Sequence, residues 1–244
     1  MRDAKARRAL CAGVIMLAAA AGAPGGASAR ETGARPPAHF IFSSGFDLWH
    51  DGGSFYGAAQ WSPGGIDKDG LTFKLLMAEG SYRYRSGGVV VRGRNTVASI
   101  MPGWKFRKDT AEITLYAGLD WQANRLSPDD LGNPARGSRA GLRLAADAWW
   151  ETSPSWMVTG STSISSIGGT FWLRGATGLR VLETCWLGPE FIVAGTARFR
   201  QYRAGVHVTA LKTGSVEWSV GVGHASDDDR RAGAYLRVGL SSRY

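Results

Sequence analysis

The sequence is poor in residues that support cross-linking and acid–base chemistry, with two cysteines and four histidines among 244 residues. Cys11 lies in a leader that we expect to be removed, so Cys185 remains alone and an intramolecular disulfide is excluded. Beyond this leader, no stretch approaches the roughly 18 consecutive apolar residues that a membrane-spanning helix needs. Any membrane span in the mature chain must therefore consist of strands.

The first residues have the pattern of a secretory signal peptide. Basic residues precede an apolar run at 12–21, and Ala27, Ser28 and Ala29 then offer a small-residue cleavage site. We expect residues 1–29 to be removed. The 215 residues that remain suit one barrel or one to two soluble domains.

Positive charge exceeds negative charge, since 29 Lys and Arg residues stand against 20 Asp and Glu residues, a formal net charge of +9. Such a balance can attract nucleic acid, but the arginines are scattered at every-other-residue spacing and do not cluster on one segment. We therefore expect no nucleic-acid partner. Two other interpretations of the positive charge remain. It could attract anionic lipopolysaccharide or an acidic polymer, or it could be ordinary charge that lines the interior of a barrel.

Period-two alternation is the main signal along the chain. From residue 40 onward, alternating segments of about ten residues are separated by short turns rich in Gly, Pro, Asp and Ser, as barrel strands require. The last segment ends on the terminal aromatic Tyr244. We predict a short periplasmic segment at 30–39 and, over 40–244, an all-β fold: an antiparallel transmembrane β-barrel of about 12 strands. The strands are expected near 40–50, 54–62, 71–85, 89–104, 110–123, 137–151, 156–166, 170–182, 185–194, 199–211, 214–224 and 233–243.

Side-chain parity separates a lipid face from a lumenal face. In the third strand, Leu71, Phe73 and Leu75 share one face, whereas Thr72 and Lys74 lie on the other. Charged groups are costly in hydrocarbon, so the polar face must line the interior. Barrels of about 8 strands have an interior filled by side chains, whereas barrels of about 16–18 strands enclose an aqueous channel. A barrel of about 12 strands lies between these sizes, so a filled lumen and an open lumen are both possible. An ion-pair network that fills the lumen could include Lys74, Glu112, Arg139, Arg143, Asp147, Arg174, Arg180, Glu190, Arg203, Glu217 and Arg237.

Loop lengths orient the barrel. The connections at 152–154 and 212–213 are tight and fall at one end, which we assign to the periplasm. The long connections at 125–136 and 225–232 fall at the other end, outside the cell. The segment 62–70 departs from this rule, because it is long and yet lies at the periplasmic end.

Ten tryptophans are present, and their strand positions divide them. Six fall near predicted strand ends, where aromatic girdles contact the membrane interface: Trp61, Trp104, Trp121, Trp150, Trp156 and Trp186. Others face the lumen beside charged groups, where aromatic rings can bind the apolar faces of sugars. We therefore predict a lumenal glucan contact formed by Asp47, Trp49, Tyr116, Asp120, Arg143, Asp147 and Trp149.

Signals for catalysis and metal binding are weak. Only His207 among the histidines lies on a predicted lumenal face, where Ser219 or Glu217 could complete a hydrolytic site, but both are ordinary lumenal residue types. The acidic clusters, including 227–229, lack the ligand spacing of a calcium loop. We expect a hydrogen-bonded interior histidine, and no catalytic residue, metal ligand or cofactor.

Eight short segments carry a distinctive combination of residues in a distinctive order. They are residues 44–49, 61–70, 82–87, 120–122, 126–130, 188–190, 205–209 and 217–219, with sequences SGFDLW, WSPGGIDKDG, YRYRSG, DWQ, LSPDD, GPE, GVHVT and EWS. Together they resemble the cellulose biosynthesis protein BcsS family, over nearly all of the mature chain. The resemblance implies a non-catalytic accessory protein of cellulose synthesis, export or assembly in the outer membrane of a Gram-negative cell. Its implied partners are outer-membrane lipid and lipopolysaccharide, cellulose or another glucan, and cellulose synthase or export subunits.

Three other functions remain open from the sequence. A small diffusion channel, similar to a porin, would conduct ions through a solvent-filled lumen. A barrel enzyme that modifies lipid or polysaccharide would lose activity with His207→Ala while it still folded. A soluble periplasmic sandwich would need no detergent and would keep the same gel mobility when heated.

Overall fold

The computed structural model describes residues 37–133, 136–181, 184–197 and 199–244, and the predicted signal peptide lies outside them. These residues form twelve strands and no helix. The strands are β1 (Phe40–Trp49), β2 (Gly52–Trp61), β3 (Gly70–Ser86), β4 (Val89–Lys108), β5 (Ala111–Ser127), β6 (Gly137–Ser153), β7 (Trp156–Ser165), β8 (Phe171–Val181), β9 (Cys185–Gly195), β10 (Arg200–Thr213), β11 (Val216–Asp227) and β12 (Ala232–Arg243). The predicted number of strands is confirmed, and most bounds agree to within a few residues. Within the described ranges, no helix is long and apolar enough to cross a membrane.

The sheet closes on itself into a barrel. Each strand pairs antiparallel with its neighbours in sequence, and β1 also pairs with β12, where Ser44 lies opposite Leu240. Next to this seam, the carbonyl of Tyr244 accepts hydrogen bonds from the N–H groups of His39 and Phe40 at 2.6 and 2.8 Å. Closure pairs the two edge strands with each other, so their backbone N–H and C=O groups are hydrogen-bonded. A sheet can span the hydrocarbon core of a membrane only under this condition.

The two faces of the wall differ in polarity and exposure, as the alternation predicted. Outward side chains such as Leu119 and Leu142 are apolar and are 64% and 61% exposed. The inward Asp120 and Arg143 on the same two strands are each 2% exposed. An apolar outer surface around a polar interior reverses the arrangement of a soluble protein, and it suits a wall that faces lipid.

Four consecutive strands make one side of the wall taller. Strands β3 to β6 have 17, 20, 17 and 17 residues, whereas β1, β2 and β7 have 10 each. Most of the additional length lies at the end opposite to the chain termini. The longer loops of an outer-membrane barrel face outside, so we expect this extended wall, β3–β6, to project from the cell surface.

The long segment between β2 and β3 packs against the periplasmic opening. Ile66 is buried, and its N–H donates to the carbonyl of Ala38 at 2.8 Å. Lys105, an inward residue of β4, donates from Nζ to the carbonyl of Ile66 at 2.7 Å. The departure from the loop-length rule thus has a structural reason, because this segment covers the barrel end.

The outer end of the lumen is covered as well. Tyr84 points inward from β3 and donates from its hydroxyl to Oδ2 of Asp130 at 2.8 Å. Asn133 of the same external loop donates to the Tyr84 hydroxyl at 2.9 Å and is itself buried. This loop therefore folds over the opening. Below it lies a cluster of buried apolar and aromatic residues: Trp49, Tyr82, Tyr84, Val91, Phe199, Ala225 and Tyr235.

Two lumenal glycines make room for large side chains of neighbouring strands. A Cβ on Gly93 would collide with the ring of Tyr82, which lies across it from β3. A Cβ on Gly221 would collide with the carboxylate of Glu190. Glycine is therefore required at both positions by close approach, which is its usual use inside a tightly filled barrel.

Candidate functional site in the barrel lumen

Glu190 of β9 lies at the centre of a buried charged cluster in the lumen. Its Oε2 accepts hydrogen bonds from Nε of Arg174 and from Nη2 of Arg237, each at 2.9 Å. Its Oε1 accepts from the hydroxyl of Tyr235 at 3.0 Å. The three charged side chains are at most 5% exposed. Charges removed from water in this way are tolerated only when they are paired and hydrogen-bonded.

A second charged cluster surrounds Asp120 of β5. Arg143 donates from Nε to Oδ1 and from Nη2 to Oδ2, both at 3.0 Å. The hydroxyls of Ser99 and Ser165 each donate to the carboxylate at 2.6 Å, and Gln122 donates to it at 2.9 Å. Both carboxylate oxygens are therefore fully engaged within the protein.

Two further ion pairs span the lumen between strands that are distant in sequence. Lys74 of β3 contacts Asp147 of β6 at 2.9 Å. Arg203 of β10 contacts Asp47 of β1 at 3.0 Å. Seven members of the predicted ion-pair network are buried: Lys74, Arg143, Asp147, Arg174, Glu190, Arg203 and Arg237. Of the other four predicted members, Glu112, Arg180 and Glu217 are half-buried and Arg139 is exposed.

The seven residues predicted to contact a glucan all lie inside the barrel, but not on one surface. Asp47 and Trp49 lie toward the outer end, Asp120 and Arg143 pair with each other, and the other three lie toward the periplasmic half: Tyr116, Asp147 and Trp149. All seven are at most 7% exposed. Their carboxylates already bind Arg203, Arg143 and Lys74. Glucan contact by this set stays a prediction.

The prediction that Trp186 belongs to the interfacial girdle is wrong. Trp186 is 2% exposed and faces the lumen, where its ring contacts Trp149 edge to face at 6.3 Å and lies 4.2 Å below the guanidinium of Arg180. The alternation of faces indicated this position, since Trp186 lies four residues before the lumenal Glu190. Residues an even number apart in a strand face the same side. The other five predicted girdle residues are exposed on the outer face: Trp61, Trp104, Trp121, Trp150 and Trp156.

His207 is a hydrogen-bonded interior residue, as expected. Its Nδ1 lies 2.8 Å from the hydroxyl of Thr209, and its Nε2 lies 3.1 Å from the carbonyl of Thr177. Ser219 contacts the Thr209 hydroxyl at 3.1 Å and so reaches the histidine only through it. Glu217 faces a different level of the barrel, near the β10–β11 turn.

One cluster of potential metal ligands occurs in the described part of the chain. His50, Asp51 and Asp227 place one ligand atom each within 4.8 Å of one another. Arg231 contacts both carboxylates at 2.9 Å. Both acids of this cluster are therefore already paired with a guanidinium.

These features define a class of protein: an outer-membrane β-barrel of twelve strands, whose lumen is filled by buried ion pairs. The family described as cellulose biosynthesis protein BcsS matches residues 41–244. The chain belongs to this family, as the resemblance of its short segments predicted.

Solved structures share the architecture at low sequence identity. An outer membrane channel from Pseudomonas putida F1 has a TM-score of 0.52 and 11% identity, and the match covers 89% of this chain and 100% of the channel. A KdgM porin has a TM-score of 0.47 and 11% identity, with 84% and 99% of the two chains covered. LpxR from Salmonella typhimurium has a TM-score of 0.49 and 8% identity, with 84% and 100% covered. The likeness to the channel shows the fold, which is that of an outer-membrane barrel. The comparison with curated protein sequences finds no match.

Proposed function

We propose that this barrel acts in bacterial cellulose production as a non-catalytic accessory protein with a closed lumen. The chain belongs to the BcsS family and lies in the outer membrane, which links it to cellulose production at the outer boundary of the cell. The observation that carries the proposal is the filling of the lumen. Along the lumen, Glu190, Asp120 and Asp147 are each paired with a buried basic side chain.

A closed lumen favours a role in which no solute passes through the barrel. A glucan chain or a hydrated ion would have to displace the 62–69 segment at one end and the loop at Asp130 at the other. It would also have to separate buried ion pairs, and breaking such a pair costs about 3–5 kcal/mol. These barriers add along one path, so passage would require a large rearrangement.

The surroundings of His207 support a role without catalysis. Both ring nitrogens contact protein groups, the side chain is 1% exposed, and Ser219 does not contact the ring. A general base must reach the proton that it removes. A histidine held in this way has no substrate-facing nitrogen.

The surfaces available to partners are the outer wall and the external loops. Outer-membrane lipid and lipopolysaccharide contact the wall, and Leu131, which is 79% exposed on an external loop, illustrates the surface open to other proteins. Cellulose synthase or export subunits are the partners that the family suggests. Contact of a glucan with the predicted lumenal residues is the alternative to a closed lumen, because Trp49 and Trp149 are buried and the lumen would have to open to expose them.

Gene deletion with complementation tests the proposal. We expect deletion to change either the amount of cellulose, measured by dye binding, or the architecture of its fibres, measured by electron microscopy. We expect His207→Ala and Ser219→Ala to restore the wild-type state. A deletion that changes neither property contradicts a role in cellulose production, and a folded His207→Ala protein that fails to complement contradicts the absence of catalysis.

A further inference from the structure

Five arginines lie together on the outer face of the extended wall. Arg83 and Arg85 are on β3, Arg92 and Arg94 are on β4, and Arg125 is on β5. All five occupy outward positions and are exposed. The three strands are neighbours in the barrel, so residues from three separate segments form one surface, which we call the outer arginine patch.

The patch begins where the apolar outer band ends. Met77, Ile100 and Trp121 are exposed apolar residues on the same face of the same three strands. Trp121 and Arg125 are two outward positions apart, about 13 Å along the strand. The arginines therefore lie above the hydrocarbon, at the level of the lipid headgroups of the outer leaflet.

Like charges face each other directly within the patch. Arg83 is the cross-strand partner of Arg92, and Arg94 is the partner of Arg125. Directly opposed side chains have Cβ atoms about 5 Å apart, and like charges at this spacing are destabilising. An anion placed between the strands would relieve the repulsion in both pairs.

Little acid from the described protein compensates this charge. Glu79 is the outward acid beside the patch, and it accepts a hydrogen bond from Nε of Arg94 at 2.6 Å. Of the five arginines, Arg94 alone has an ion pair with a described residue. The nearby acids Asp227 and Asp229 pair instead with Arg231.

We propose that the outer arginine patch binds the phosphate groups of lipopolysaccharide in the outer leaflet. All five residues are arginine, whose planar guanidinium can donate two parallel hydrogen bonds to one phosphate. A neutral glucan offers no charge to these groups, and a zwitterionic phospholipid carries its own cation. A lipid with several phosphates can bridge the opposed pairs and relieve their repulsion.

Lipid binding by the purified full-length protein in lipopolysaccharide-free detergent tests the proposal. The probes are diphosphorylated lipid A and the same lipid without phosphates. We expect the wild-type protein to bind the phosphorylated lipid at least tenfold more tightly. Arg92→Gln with Arg125→Gln should weaken this binding about tenfold or more, since charge-assisted hydrogen bonds are lost.

The matched control removes the same charge from the other end of the barrel. Lys68→Gln with Lys108→Gln changes two exposed lysines at the periplasmic end and should leave lipid affinity unchanged. Both double variants should keep heat-modifiable gel mobility. Glu79→Gln removes the acid beside the patch and should therefore increase the affinity for lipid A. This variant predicts a change opposite in sign to that of the arginine variants.

Three results would overturn the proposal. The first is equal affinity for lipid A with and without phosphate. The second is wild-type affinity in the folded Arg92→Gln, Arg125→Gln protein. The third is displacement of lipid A by inorganic phosphate at the same concentration as the lipid, because the site would then bind a free anion.

Discussion

Arg143 of β6 and Asp120 of β5 form a bidentate ion pair, with two hydrogen bonds of 3.0 Å each. The two side chains are 2% and 0% exposed, so water does not compete for this contact. Both residues point into the lumen from adjacent strands. The pair therefore fills part of the lumen at this level.

Loss of one member of this pair should destabilise the barrel strongly. We expect Asp120→Ala to lower the free energy of unfolding by about 3–5 kcal/mol, because the buried guanidinium of Arg143 loses its partner. Urea titration of the protein in lipid vesicles, followed by tryptophan fluorescence, measures this change. The control is Asp129→Ala, which removes an exposed pair with Arg136 and should cost about 0–1 kcal/mol. Equal losses in the two variants would contradict the importance of burial.

Close packing around Glu190 predicts intolerance of a single methyl group. Gly221→Ala places a Cβ against the Glu190 carboxylate and should cost about 1–3 kcal/mol of stability. Gly175→Ala is the matched control, because an added Cβ there has no neighbour within 4 Å, and it should change stability by about 0.5 kcal/mol or less. The same urea titration distinguishes them. If Gly221→Ala were as stable as the control, the packing around Glu190 would have enough room for an additional methyl group, which would contradict a tightly filled lumen.

Cysteine labelling tests the orientation of the barrel. Leu131→Cys lies on an external loop and should react with a membrane-impermeant maleimide on intact cells. Ser155→Cys lies in the β6–β7 turn and should react only after the outer membrane is permeabilised. The native Cys185 is 2% exposed and should contribute little background. The reverse pattern of labelling would contradict the assignment of the β6–β7 turn to the periplasm.

The fold could be predicted closely because a strand has a simple period. Alternation of apolar and polar residues assigned both faces of β3, and turn residues separated the strands. The same rule identified which charged residues enter the lumen. Pairing could not be predicted, because Arg203 and Asp47 are 156 residues apart in sequence and meet only when the barrel closes.

Two features of the molecule show where sequence reasoning was insufficient. Nearness to a strand end favours the girdle for Trp186, although its even spacing from Glu190 indicates the lumen. The outer arginine patch could not be predicted from the sequence, because its arginines lie on three separate segments. Strand register creates the patch by setting Arg83 beside Arg92 and Arg94 beside Arg125.

Single-channel conductance in planar bilayers is the most direct test of the closed lumen. We expect the wild-type barrel, once heat-modifiable gel mobility confirms that it is folded, to insert and remain silent. Insertion of the silent protein is checked separately, by the protection of its strands from protease in vesicles of the same lipid. Stable steps from the wild-type protein would contradict a closed lumen. Steps blocked by soluble cello-oligosaccharides would further indicate a glucan conduit.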